Sequence, residues 1–233
     1  MEWIKKNLSL LILWGFILIS LIIGVIYFCY TTNPKLGNIL GGAFVGLLIA
    51  TIQYLIIIDE RIKLDKIKAL KVKNVLFHRA EQGYYRGLIM EAKLEINVMG
   101  VTAIRLLQDF ANSNSISTEN KVIFEALNRN VNIRIILPTK DYLTSSEDVV
   151  NYDKAQLIMT AIHNTYPKNF NFRYFDHTPA HSIFNFDEET IVGPVIPGIS
   201  SKDTPGIHIL NSSKYAKTYL DYFNKEWENA KTI

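Results

Sequence analysis

Two uninterrupted apolar runs open the chain, residues 8–30 and 36–58, each 23 residues long and free of charged side chains. At 1.5 Å per residue, either run as a helix is long enough to cross a hydrocarbon core of about 30 Å. A cleaved leader would carry a shorter apolar region ending in small residues, whereas the first run ends Phe28-Cys29-Tyr30, so the pattern predicts a retained span. Residues 31–35, with Pro34 among them, read as a tight connection, and the two runs together as a two-helix transmembrane hairpin. Gly37 and Gly41, then Gly42, Gly46 and Ala50, recur at intervals of four and line one helix side with small residues, where another helix can approach closely. That neighbour is either the first helix of the same chain or a helix of a second protomer.

Beyond the runs the period changes. Over residues 60–73, Leu64, Ile67 and Leu70 recur with lysines between them, which suits a helix leaving the membrane beside anionic headgroups and equally suits a plain stop-transfer flank. Residues 74–91 keep a helical rhythm through Leu76, Ala80, Tyr84 and Leu88. Residues 94–99 then alternate as a strand ending at Gly100. Helices are predicted over 102–111 and 118–129, the latter opened by a cap at Thr118-Glu119-Asn120. A β-branched strand over 131–137 stops at Pro138, and a helix follows over 148–163. Strands come next at 170–175, 181–187, 190–195 and 206–210. A last helix covers 213–231, with Tyr219, Phe223 and Trp227 four apart on its buried side. Strands alternating with helices, then a run of strands closed by a helix, predict an α/β domain built on a mixed sheet flanked by helices. The expected organisation is a membrane anchor at 1–58, a basic connector at 59–73 and one domain at 74–233.

Charge sets the orientation. Six basic residues stand against three acidic ones between Asp59 and Lys73, Lys5 and Lys6 precede the first run, and Lys35 alone lies between the runs. Both ends are therefore expected in the cytoplasm, with the protein in a cell's inner membrane. From Asn74 onward 16 Lys and Arg face 18 Asp and Glu, so the formal charge of +3 belongs to the membrane edge and the domain offers no general nucleic-acid patch. The single cysteine, Cys29, lies inside the first run, which excludes a disulfide within the chain and a thiolate metal cluster. The histidines do not recur with carboxylates at ligand spacing, and no phosphate-loop glycine pattern, Ser-His-Asp order or zinc signature is present. No metal and no cofactor is expected.

The chemistry concentrates in residues 171–195. Phe172-Arg173-Tyr174-Phe175 is an aromatic strand, Asp176-His177-Thr178-Pro179 is turn material, and a second strand begins at His181. Alternation puts His181, Ile183, Asn185 and Asp187 on one face, an imidazole, an amide and a carboxylate in a row. That row resembles the motif of the phospholipase D superfamily, a histidine followed two residues later by lysine and seven later by aspartate. His181 matches. Ile183 stands in the lysine slot, Asp187 comes one residue early with Glu188 in the aspartate slot, and Gly193 is followed by Pro194 where the family has Gly-Ser. The order of elements over 74–233 also resembles one half of a phospholipase D fold.

The resemblance implies a degenerate site. In such enzymes one histidine attacks phosphorus and a second protonates the leaving oxygen while lysines hold the phosphoryl oxygens. A chain with one such strand would need a homodimer to bring two His181 rings together at a two-fold axis, and membrane tethering would favour that encounter. His181 and Asp187 are the catalytic candidates. His181, Asn185, Lys202, Arg173 and His177 are the ligand-binding candidates, with Lys202 in a Gly/Ser loop suited to phosphate. His181 has three readings: a structural histidine bonded to Asp187 or Asn185, a phosphate- or nucleotide-binding residue, or a nucleophile. The resulting expectation is a membrane-anchored domain that binds a phosphodiester, lipid headgroup or nucleotide and couples it to its helices, as bacterial membrane-perturbing effectors do. A membrane-bound phosphodiesterase and a non-catalytic scaffold are the alternatives.

Overall fold

The computed structural model describes residues 2–30 and 34–232, and side chains of 11–29 and 34–232. The chain divides into two compact units, Met1–Ala69 and Leu70–Ile233. The first holds α1 (Glu2–Tyr30) and α2 (Pro34–Ala69); the expected tight connection falls largely on 31–33, outside the described residues. Only 11% of the apolar window in α1 and 6% in α2 is buried. Apolar stretches with so little protein cover differ from the mostly buried core helix of a soluble domain. By length and composition both can cross a membrane. They pack through aromatic rings set on glycines: Phe44 lies where a Cβ on Gly24 would come within 3.0 Å, and Tyr27 where one on Gly41 would come within 3.2 Å. Of the two small-residue lines, Gly41 serves the hairpin, while Gly42 and Gly46 meet nothing within 4 Å.

The second unit is a mixed α/β sheet flanked by helices. Its strands are β1 (Val72–Leu76), β2 (Glu95–Met99), β3 (Asn132–Pro138), β4 (Phe170–Phe175), β5 (His181–Phe186), β6 (Glu189–Pro194) and β7 (Gly206–Leu210). Their order is β1-β7-β6-β5-β2-β3-β4, with β2, β3 and β4 parallel and the remaining pairings antiparallel. Five helices complete it: α3 (Gln82–Glu91), α4 (Ile104–Phe110), α5 (Val122–Asn128), α6 (Ser146–Thr165) and α7 (Lys214–Asn229). Adjacent strand residues feed opposite layers. Val98 and Ile135 join the core under α3 to α6, whereas Met99 and Ile136 join Phe175, Ile183 and Phe223 beneath α7.

Two local expectations change. The stretch 74–91 is not one helix: α2 runs to Ala69, Lys71 takes a positive φ of 53°, and the chain becomes edge strand β1 before α3. β-branched Val72 and Val75 suit the strand, and Lys73, paired with Glu189 at 2.5 Å, is the kind of charge that keeps a sheet edge from adding further strands. The predicted 118–129 helix divides into a 3-10 turn over Thr118–Lys121, capped by Ser117, whose hydroxyl accepts from the Glu119 amide, and α5, which has no side-chain cap. Ser145 and Ser213 cap α6 and α7 in the same way.

Candidate functional site

The residues singled out in the sequence meet α7 one after another. His181 sets its ring edge-on to Tyr219 and near Tyr222, with centroids 5.3 and 6.5 Å away. His177 places Nε2 3.1 Å from Glu226 Oε2. Arg173 donates to the Trp227 carbonyl at 2.7 Å and lies over the Trp227 ring, 4.7 Å from its centroid. The face bearing His181 is thus roofed by an aromatic helix, and His181 lines neither of the two cavities described below. Ile183, in the motif's lysine slot, is wholly buried among Met99, Ile136, Phe175 and Phe223.

Asn185 is also wholly buried. Its oxygen accepts from Asn97 at 2.9 Å and its nitrogen donates to Thr190 Oγ1 and the Glu189 carbonyl, both at 3.1 Å. Asp187 leaves the strand: β5 ends at Phe186, and Asp187 turns the chain with φ 50°. Its carboxylate accepts from the backbone amides of Lys93, Leu94 and Glu95 at 2.7, 2.9 and 2.8 Å. The expected row therefore separates into a ring against α7, a buried amide and a turn carboxylate that pins the start of β2. Asp187→Ala is expected to cost about 2 kcal/mol, because three charge-assisted bonds vanish and Ala tolerates positive φ poorly. Asp187→Asn, which keeps an acceptor and the turn conformation, should cost less than half as much. Thermal unfolding of the full chain in detergent checks both, and an alanine variant as stable as the parent would remove this role.

The space lies on the opposite face of β5. A cavity of about 480 Å³ is lined by Ser182 and Phe184 from β5, by Thr102 and Arg105 at the start of α4, and by the 196–202 loop including Lys202. It adjoins a recess of about 50 Å³ lined by Arg79, Gln82, Tyr85, Asp109 and the shared residues Arg105 and Ser201. Of the candidates from the sequence, Lys202 alone lines this cavity.

Arg79 and Arg105 were not legible in the sequence. Arg79 is 3% exposed. Its guanidinium donates to the hydroxyls of Ser182 and Thr204 and to the carbonyls of Pro194, at 3.1 Å, and Thr204, at 3.4 Å. Two glycines leave room for it: a Cβ on Gly193 would fall 2.7 Å from Arg79 Cζ, and one on Gly206 2.9 Å from its Cδ. Burial pushes the Arg79 pKa below its ordinary value; nearby Tyr85 opposes that and Arg105 adds to it. Burial also pushes the Tyr85 hydroxyl up to about 12, so it is neutral and offers no countercharge at neutral pH.

No protein family matches the sequence, and no curated protein matches it. Solved structures do. TrmBL2, an archaeal chromatin protein, is 13% identical with a TM-score of 0.48, covering 83% of this chain and 70% of its own. Nuc, a phospholipase D family member from Salmonella typhimurium, is 16% identical with a TM-score of 0.43, covering 65% and 90%. NucT from Helicobacter pylori is 10% identical with a TM-score of 0.44, covering 69% and 98%. At this level of similarity none of the three assigns an activity to this chain.

Proposed function

We propose that this chain is a membrane-anchored binding protein for a phosphodiester or nucleotide ligand, held at the inner membrane by a two-helix hairpin and working without turnover. The observation that carries the proposal is the fate of the phospholipase D-like strand. Its lysine slot is a buried isoleucine and its histidine sits edge-on to tyrosines, while a cavity of about 480 Å³, large enough for a small molecule, lies on the other side of the sheet. Stabilising a transferring phosphoryl group needs a cation aimed at its oxygens, and Ile183 supplies none. A ligand held in the cleft would bias the domain, and two residues, Leu70 and Lys71, join it to α2, so the change reaches the helices through a short covalent link.

The phosphodiesterase alternative keeps one point in its favour: the His181 imidazole is half-buried and makes no side-chain hydrogen bond among the described residues, so a second protomer could reach it. Turnover decides between the two. Full chain in detergent, given bis(p-nitrophenyl) phosphate, should hydrolyse it no faster than the His181→Ala variant. A rate that falls to background only when His181 is replaced would establish the enzyme and overturn binding without turnover.

A further inference from the structure

The proposed ligand cleft contains two guanidinium groups, neither of them paired with a carboxylate among the described residues. Arg79 takes part in no ion pair among the described residues, and neither does Arg105. Among the described residues Arg105 gives one side-chain hydrogen bond, to the Arg79 carbonyl at 3.4 Å, and it lines both the recess and the large cavity. Asp109 lines the recess as well but lies outside ion-pair distance of both. Two like charges brought together in a half-desolvated recess repel, and the fold tolerates this with neutral acceptors around Arg79 alone. Arg105 retains most of its donors, and a guanidinium fork matches the paired oxygens of a phosphate.

Resting on the function proposed above, we infer that the ligand's phosphate group seats against Arg105, with Arg79 buried behind it and the Ser200-Ser201-Lys202 segment closing over it. Arg79 acts as a positioning residue. Its backbone N–H donates to the Lys202 carbonyl at 2.8 Å, and its carbonyl holds Arg105, so it ties the loop and the phosphate-contacting side chain into one unit. Glu147 and Asp148 line the same cavity. The matching ligand is a phosphate ester that also carries hydrogen-bond donors or an amine, chemistry shared by a nucleotide and by a zwitterionic lipid headgroup.

The test is calorimetric titration of the full chain in detergent with AMP and, separately, with glycerophosphoethanolamine, on the parent and on Arg105→Gln, Arg105→Lys and Lys154→Gln. Lys154 is an exposed residue of α6 outside the cavity and controls for the loss of one charge. At least one ester should bind the parent, and which one does identifies the source. Arg105→Gln should weaken that binding by roughly tenfold to a hundredfold, Arg105→Lys by less, and Lys154→Gln not at all. Binding unchanged in Arg105→Gln would overturn the seat while leaving the function standing. No binding of either ester to the parent would overturn the function and the seat with it.

Discussion

Ile183→Lys, which restores the residue the phospholipase D motif carries, should unfold the domain rather than awaken it. The side chain at 183 is wholly buried in an apolar cluster closed by Phe223 from α7. A lysine there has no carboxylate within its own strand face: its nearest neighbours on that face are His181 and the buried amide of Asn185. Burying an unpaired ammonium costs more than the side chain can regain by shifting its pKa or reaching toward solvent past Tyr219. The loss should be about 4 kcal/mol or more, a large share of a domain's total stability. Ile183→Met, similar in volume and apolar, should cost under about 1.5 kcal/mol and serves as the control. Thermal unfolding of the full chain separates the two variants. A lysine variant as stable as the parent, above all one that gained hydrolysis of bis(p-nitrophenyl) phosphate, would show that the motif's catalytic side is open and that the ligand reading has the wrong face.

Why the fold could be read from the sequence and the cleft could not follows from how each is encoded. Strand β5 announces itself through alternation, β3 through its β-branched run, α7 through Tyr219, Phe223 and Trp227 at helical spacing, and the span of each agrees with the structure to within about two residues. The break at Lys71 and strand β1 were missed because an edge strand exposed over four of its five residues carries no alternating signal. His181 and its row were legible as a strand face but not as a site. Which face of a sheet receives a helix depends on α7, some 40 residues downstream, crossing from His181 to Arg173. Arg79 and Arg105 had no local mark at all. Their meaning comes from Ser182, Pro194 and Thr204, more than 100 residues from Arg79, converging on one guanidinium.

That convergence makes Gly193→Ala the second substitution with a large expected effect. Gly193 pairs with Ser182 across β5 and β6, and an added Cβ would lie 2.6 Å from the Pro205 carbonyl oxygen and 2.7 Å from Arg79 Cζ. The first contact is with backbone, which cannot yield without moving the entry to β7, and the second is with a side chain held by four hydrogen bonds. Relief by displacing Arg79 would strand its acceptors in the buried recess. A cost of about 3 kcal/mol is expected, at the upper end for an overpacked site. Arg79→Met, which keeps the stem but leaves those acceptors unpaired, should cost a similar amount, about 3 kcal/mol. The double variant separates the two contacts. If Arg79 is half of the obstacle, combining the changes should destabilise by about 1 kcal/mol less than the sum of the single losses, since the methionine vacates the space near Cζ while the Pro205 oxygen remains. Strict additivity in thermal unfolding would mean that the glycine serves only the β6 backbone, and that the arginine is not held in place by the two strands it bridges.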